Sequence, residues 1–81
     1  MRLDKFLKVS RIIKRRTIAN EMCDAGKVKM NDKVAKASSE VKVGDIIEMR
    51  FGASVTRFEV LNVIEHVRKD EAKEMFKIID G

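Results

Sequence analysis

The chain has only one cysteine, Cys23, and one histidine, His66, and these counts exclude several kinds of site. No internal disulfide can form, and a lone thiol favours a reducing, cytosolic setting. One Cys and one His cannot supply the four ligands of a usual zinc site, so we expect no metal and no cofactor. A histidine-based triad would have to use His66, and no serine or cysteine near it in sequence resembles an activated nucleophile. The composition therefore argues against an enzyme.

Proline, tryptophan and tyrosine are absent, and the glycines and aromatic residues are few. Four scattered glycines give no phosphate-binding glycine loop. Of the four phenylalanines, Phe6, Phe58 and Phe76 fall on apolar stripes, so an aromatic platform for stacking single strands is not expected. The N-terminus mixes charged and apolar residues from Arg2 onward, which predicts neither a signal peptide nor a transmembrane helix. We expect no membrane partner.

Positive charge is abundant and concentrated in one half of the chain. Residues 1–36 hold eleven Lys/Arg and four Asp/Glu, a net charge of +7, whereas residues 37–81 hold seven and nine, a net charge of −2. Such an asymmetry indicates a polyanionic partner, either nucleic acid or an acidic membrane. The alternative is a lysine-rich solubilising surface, but the clustering of the charge in one half favours a binding face.

Hydrophobic periodicity predicts two short helices near the N-terminus. Leu3, Phe6 and Leu7 share one helical face, which predicts a helix over residues 3–9. A second helix is predicted over about 18–25, with Thr17 as its N-cap and Gly26 ending it. Its expected buried stripe is Ile18, Met22 and Cys23, the last as a structural thiol. Ile12 and Ile13 are expected to anchor the intervening basic loop.

The remainder of the chain predicts an antiparallel sheet followed by a helix. Residues 27–30 and 33–36 alternate around an Asn31-Asp32 turn, with valine and methionine inward and lysines outward. Strands are expected over 46–51 and 55–64, and an amphipathic helix over about 69–79 from Ala72, Met75, Phe76 and Ile79. The predicted fold is therefore one α+β domain over residues 1–81, with two helices packed on a small antiparallel sheet and a C-terminal helix.

The basic residues around the second helix form the only strong functional constellation. Lysine and arginine neutralise phosphates, and arginine also binds them in a bidentate manner and stacks on bases. Asn20 and Asn31 lie near these cations and could bond sugar or base, the alternatives being a solvated helix residue and a turn former. The candidate RNA-binding residues are Arg2, Lys5, Lys8, Arg11, Lys14, Arg15, Arg16, Thr17, Asn20, Lys27, Lys29, Asn31 and Lys33.

Several of these residues also carry a family resemblance. The motifs Arg2-Leu3-Asp4-x-x-Leu7, Arg11, Arg15-Arg16-Thr17-x-Ala19, Gly26-Lys27-Val28-x-x-Asn31 and Val43-Gly44-Asp45-x-Ile47 resemble the RNA-binding domain named after small-subunit ribosomal protein four. The resemblance covers about residues 2–50. It departs at the hairpin tip, where Met30 and Asp32 replace the usual valine and glycine.

The resemblance implies a site and a role. It marks Arg2, Arg11, Arg15, Arg16, Thr17, Lys27 and Asn31 as RNA contacts, and Asp4 as a residue that orients neighbouring cations. Stand-alone members of similar length imply a non-enzymatic factor that binds large-subunit rRNA and the peptidyl-site tRNA of an obstructed large ribosomal subunit. Such a factor would act as a monomer with the tail-elongating factor RqcH. The alternatives are a heat-shock-type ribosome-recycling role and, from another class, a DNA-binding regulator with a helix-turn-helix.

Overall fold

In the computed structural model, which describes residues 1–80, two helices lie against one face of a five-stranded sheet. The helices are α1 (Leu3–Val9) and α2 (Arg16–Asp24). The strands are β1 (Val28–Met30), β2 (Lys33–Val34), β3 (Ile46–Phe51), β4 (Ser54–Val60) and β5 (Phe76–Asp80), with a 3₁₀ turn at Ala72–Glu74. All neighbouring strands are antiparallel in the order β2-β1-β3-β4-β5. The predicted two-helix α+β architecture is confirmed.

The core lies between the helices and one face of the sheet. On the helix side, α1 contributes Leu3, Phe6 and Leu7, all fully buried, as its stripe predicted. On the sheet side the largest buried residues are Val28, Ile47, Met49, Phe58 and Val60. Side chains alternate along each strand, so the residues between these point to the opposite face of the sheet. That second face has no helix packed on it among the described residues, and it carries mainly charged side chains.

Helix α2 begins two residues earlier than predicted. Arg15 occupies the N-cap position without a side-chain bond to the helix, and Thr17 lies inside the first turn, so the assignment of Thr17 as the cap is wrong. The carbonyl of Arg15 accepts a hydrogen bond from the N–H of Ala19 at 3.2 Å, so the helix starts at Arg16. The buried residues of α2 are Ala19 and Cys23, whereas Ile18 is 42% exposed, contrary to its predicted place in the core.

The end of α2 follows the prediction. Gly26 adopts a φ of 73°, the left-handed conformation that glycine enters at no steric cost. The N–H of Lys27 donates to the carbonyl of Met22 and the N–H of Gly26 to that of Cys23, both at 3.0 Å. These are the two bonds of a Schellman motif, which satisfies helix-end carbonyls and turns the chain into β1.

The β1–β2 hairpin is also confirmed, with one change of facing. Asn31 and Asp32 have φ values of 53° and 68°, as a two-residue type I′ turn requires. Val34 lies opposite Lys29, and both are on the sheet face away from the helices. Val34 is accordingly 62% exposed, so its predicted inward orientation is wrong.

The predicted C-terminal helix is wrong, because residues 76–80 form strand β5. Phe76 lies opposite Val60 and Ile78 opposite Phe58, and the Phe58 and Phe76 rings meet edge to face at 5.4 Å. The open edge of β4 offers backbone hydrogen bonds that a helix could not use, and this outweighs a local helical pattern. Strand β4 is shorter than predicted, because β3 begins at Ile46 and gives no partner beyond that end of the ladder.

Candidate nucleic-acid interface

A single buried carboxylate, Asp4, organises the polar surface between α1 and α2. Asp4 is only 2% exposed and lies in the first turn of α1. Arg2 donates to it through Nε and Nη2 at 3.3 and 3.4 Å. Arg16 approaches from α2, with Nε 3.2 Å and Nη2 3.3 Å from its oxygens. Asn20, one turn along α2, donates to Oδ2 at 3.1 Å. We call Asp4, Arg2, Arg16 and Asn20 the Asp4 cluster.

The Asp4 cluster leaves its cations available to a ligand. The side chains of Arg2 and Arg16 are 52% and 47% exposed, although both are held by the same carboxylate. Each guanidinium has five N–H donors, and the contacts with Asp4 use only some of them. One negative charge faces two positive charges, so the cluster keeps a net charge of +1. It therefore presents two fixed arginines to solvent, an arrangement suited to phosphate oxygens.

The pKa of Asp4 reflects this arrangement. Burial of the carboxyl, the largest single influence, raises its pKa, but the hydrogen bonds from Arg16 and from the Lys5 backbone N–H lower it. The positive charges of Arg16 and Arg2 lower it further, and the net pKa lies below the ordinary value. Asp4 is therefore ionised near neutral pH, as an ion-paired acceptor of several hydrogen bonds must be.

The end of α1 and the loop after it carry three more candidate cations in a fixed conformation. We call Lys8, Arg11 and Lys14 the loop cations; all are exposed. Arg11 has a φ of 64°, which only glycine adopts without strain. Its N–H donates to the Lys8 carbonyl at 3.0 Å, and Ile13, 7% exposed, anchors the loop with an N–H bond to the Leu7 carbonyl at 3.0 Å. The anchoring expected of Ile13 is confirmed, and Ile12 is partly buried beside the core.

Two predicted RNA contacts have structural partners within the chain. The Nζ of Lys5 is ion-paired with Glu65. The hydrogen bond from Lys5 and the charge of the lysine lower the pKa of Glu65. The amide of Asn31 donates to Asp45 at 3.0 Å and accepts from the Ile46 N–H at 3.0 Å. Asn31 thus ties the hairpin turn to the start of β3, which is the turn-forming alternative for this residue.

The hairpin cations do not all lie beside the Asp4 cluster. Lys29 lies opposite Glu48 and points to the sheet face away from the helices. Lys33 lies opposite Met30, and both are on the sheet face toward the helices. Lys27 is exposed just before β1. The sequence predicts that these lysines form one platform with the basic residues of the helices. The sheet geometry separates Lys29 from that group.

The groove beside the cluster includes Thr17. Asp4, Arg16, Thr17, Asn20 and Glu21 line a shallow depression between the two helices. The Thr17 hydroxyl is available to a ligand because the helix cap does not use it. Arg15 is exposed at the N-cap of α2.

Sequence reasoning missed Glu65 and Val67, which lie in the irregular segment after β4. Glu65 reaches Lys5 across 60 residues of chain, and Val67 packs against the core beside the loop cations. Neither residue has a motif or a period that could have marked it. Their place beside α1 depends on how the chain returns after β4.

The remaining reactive groups have structural roles or none. Cys23 is 4% exposed, and burial, with the charges of Asp4 and Asp24, raises its pKa to about 11. Its predicted burial is confirmed. His66 is exposed. Within residues 1–80 no group of three or more Cys, His, Asp or Glu side chains is placed to hold a metal ion. Nor does any helix in that range have the length and apolar character to cross a bilayer.

The fold and the basic interhelical surface agree with comparisons to known proteins. The family model of the S4 domain matches residues 1–47, and the chain belongs to this family. Several curated relatives carry the name RQC P-site tRNA stabilizing factor. The protein of Halalkalibacterium halodurans is 53% identical over 96% of this chain and 89% of its own length. The protein of Bacillus subtilis is 49% identical over 98% of this chain and 92% of its own.

A solved structure extends the comparison to the fold. The trimeric structure of Heat Shock Protein 15 from Vibrio cholerae superposes with a TM-score of 0.88 at 32% identity. The match covers 96% of this chain and 80% of that one. Because the superposition spans nearly the whole chain, the arrangement of two helices on an antiparallel sheet extends beyond the residues that match the S4 domain.

Proposed function

We propose that this protein is a non-enzymatic RNA-binding factor of bacterial ribosome-associated quality control, acting in the cytoplasm. It binds the large ribosomal subunit that is obstructed by peptidyl-tRNA, contacts rRNA, and stabilises the tRNA in the peptidyl site. Near-full-length similarity to proteins named as P-site tRNA stabilizing factors supports this role. The observation that carries the proposal is the Asp4 cluster, which holds two half-exposed arginines at fixed positions on a basic surface.

The chemistry of the cluster suits folded RNA. The arginines are fixed by a buried acceptor, so little side-chain entropy is lost when they bind phosphate. Exposed aromatic side chains are scarce, since Phe6 and Phe58 are buried, and recognition therefore relies on backbone and shape. In this role the protein acts as a monomer and supports the alanine tailing carried out by RqcH, without catalysing a step.

Co-sedimentation with purified large subunits, with and without peptidyl-tRNA, tests the proposal. We expect a clear preference for the occupied subunit. We also expect log affinity to fall with log salt at a slope of about −3 to −5, for roughly four to six phosphate contacts. Equal binding to empty and occupied subunits would contradict a role at the peptidyl site. Stronger binding to duplex DNA in competition would favour the DNA-binding alternative.

Charge reversal locates the interface. Arg16→Glu is expected to weaken subunit binding by at least about a hundredfold, because a phosphate contact is replaced by a repulsion. Arg50→Glu makes the same change on the sheet face away from the helices and is the matched control. Circular dichroism and thermal melts check that both variants fold. Equal losses in both variants would show that binding follows net charge and not the Asp4 cluster.

A heat-shock-type recycling role is the second candidate, favoured by the superposition on Heat Shock Protein 15. The two roles differ in their dependence on tail elongation. In a reconstituted tailing reaction, the proposed factor increases alanine addition by RqcH, whereas a recycling factor binds the same subunits without that effect.

A further inference from the structure

A cleft beside the loop cations combines positive charge with an apolar floor. It lies between the end of α1, the following loop and the segment after β4, and it has a volume of about 370 Å³. Its lining residues are Lys8, Val9, Arg11, Ile13, Lys14 and Val67. Lys8 comes from the last turn of α1 and Arg11 and Lys14 come from the loop, whereas the apolar side chains come from both walls. It is separate from the groove of the Asp4 cluster, with which it shares no lining residue.

Both walls of the cleft are held in place before any ligand binds. The loop wall is fixed by Ile13 in the core and by the bond from the Ser10 hydroxyl to the Leu7 carbonyl at 3.4 Å. The opposite wall carries Val67, two residues after Glu65, whose carboxylate is ion-paired with Lys5 on α1. This pair ties the segment after β4 to the first helix. The cleft is therefore preorganised, which lowers the entropic cost of filling it.

The charges in the cleft are uncompensated. Within residues 1–80, Lys8, Arg11 and Lys14 have no carboxylate within 4.0 Å, in contrast to Arg2, Arg16 and Arg57. Three such cations around an apolar floor fit a ligand with both a flat apolar part and a negative group. A nucleotide has this composition, and the guanidinium of an arginine can lie flat on a base.

We propose that this cleft receives one unstacked nucleotide of the bound RNA, with its base over Val9 and Val67 and its phosphate among the loop cations. The volume suits a single nucleotide and excludes a double helix, whose paired bases could not reach the apolar floor. The inference rests on the proposed RNA-binding function and adds a subsite to it. The cleft would thereby allow the protein to distinguish RNA with a bulged or flipped base from continuous duplex RNA.

Titration of the isotopically labelled full chain with adenosine monophosphate tests the cleft directly by NMR. We expect saturable shifts of the backbone amides of residues 8–14 and of Val67. Inorganic phosphate is the control probe, and it should shift the loop amides while leaving Val67 unmoved. Identical shift patterns for the two probes, or no saturation with adenosine monophosphate, would overturn the inference.

A substitution in the apolar floor separates base binding from charge. Val67→Ser keeps the net charge and should weaken binding of an RNA hairpin with a single-nucleotide bulge by about three- to tenfold, through lost apolar contact. Its affinity for the same hairpin without the bulge should not change. Val43→Ser, at a position 65% exposed and outside the cleft, is the matched control. If the serine perturbs the segment, as its NMR spectrum would show, the nearly isosteric Val67→Thr replaces it.

These measurements separate the inference from the function beneath it. Equal losses for bulged and fully paired RNA, or no loss for either, overturn the nucleotide cleft even where large subunits still bind. Failure of the wild-type protein to bind occupied subunits overturns the proposed function, while the titration with adenosine monophosphate still decides whether the cleft takes a nucleotide.

Discussion

Two ion-pair groups in this molecule have opposite compositions. Between the helices, one carboxylate, Asp4, is shared by Arg2 and Arg16. On the outer sheet face, one arginine, Arg57, is shared by Glu48 and Asp80 at 2.9 and 2.8 Å. The first group keeps a surplus positive charge, and the second a surplus negative charge. The surplus charge of the first group attracts a phosphate, whereas that of the second repels it.

The two groups also differ in burial, which decides how strongly each is fixed. Asp4 is 2% exposed, whereas the side chains of Glu48 and Asp80 are 21% and 65% exposed. The hydrogen bond that Arg57 donates to Glu48, together with the charge of that carboxylate, raises the pKa of Arg57, but solvent screens a pair at this site. A buried acceptor with exposed donors is a device for positioning cations. The exposed network on the sheet serves instead to balance charge along β3, β4 and β5.

The largest effect on stability should come from Asp4→Asn, which keeps the shape of the side chain but removes the shared charge. We expect the free energy of unfolding to fall by about 1–3 kcal/mol, because charged hydrogen bonds to a buried group are lost. Subunit affinity should fall by about tenfold, since the arginines remain but lose their fixed positions. Urea denaturation and co-sedimentation measure the two effects.

Glu48→Gln makes the same chemical change in the other group and is the matched control. It should reduce stability less than Asp4→Asn and leave subunit binding unchanged. A loss of stability as large as that of Asp4→Asn would show that the contrast in burial between the two groups has no energetic meaning.

A smaller effect is expected at Arg11, whose backbone is in the left-handed region. Arg11→Gly should raise the free energy of unfolding by about 0.5–1 kcal/mol, because glycine removes the steric strain at some cost in unfolded-chain entropy. The same variant should bind RNA more weakly, since a loop cation is lost. Arg11→Ala removes the charge but keeps the strain. The difference in melting temperature between the two variants therefore isolates the contribution of the strained backbone to stability. Equal stability of both would contradict a strained loop.

The pH dependence of the free energy of unfolding tests whether Asp4 is ion-paired in the folded chain. The pKa of Asp4 is lower in the folded chain than in the unfolded chain, so its stabilising contribution is fully present above the unfolded pKa near 3.8. That contribution is lost as pH falls through the lower folded pKa. The free energy of unfolding of the wild type should therefore fall more steeply below about pH 4 than that of Asp4→Asn. The pKa of Glu65 is also lowered, so Glu65 contributes to the same acid-induced loss of stability. Glu65→Gln serves as the control that removes this second contribution. Parallel curves for wild type and Asp4→Asn would contradict an ion-paired Asp4.

The smallest effect concerns Cys23, which lies on the core side of α2. Burial raises its pKa to about 11, so almost no thiolate is present at pH 8, and the thiol is shielded as well. Reaction with a thiol reagent at pH 8 should be slow in the folded protein and rapid in denaturant. Asp4→Asn should accelerate it through more frequent opening of the interhelical contact. Rapid reaction of the native wild type would show that α2 is not firmly packed.

The first half of the fold was predictable, because local signals and tertiary contacts agree there. The stripe of α1, the glycine after α2 and the Asn31-Asp32 turn each have a direct physical cause in the chain itself. The second half was less so. Residues 72–79 have a helical apolar spacing, and only the unpaired edge of β4 converts their end into β5. The local apolar spacing of a segment does not show which sheet edge is unpaired in the folded chain.

The candidate site divides in the same way. The basic character of residues 2–33 and the orienting part of Asp4 were inferred from the residues and the family resemblance. The roles in RNA contact remain predictions for all of these residues. Their grouping needed the structure, because it separates Lys29 from the Asp4 cluster, pairs Lys5 with Glu65 and commits Asn31 to the hairpin.

Sequence alone determined the charge asymmetry, the two helices, the hairpin and the residue types available to bind RNA, since these follow from composition and short-range periods. Tertiary structure decided which cations are compensated, which are fixed by a shared acceptor and which line the cleft with Val67. The physical reason is that charge interactions depend on distance and burial, and those quantities are set only when segments far apart in the chain come together.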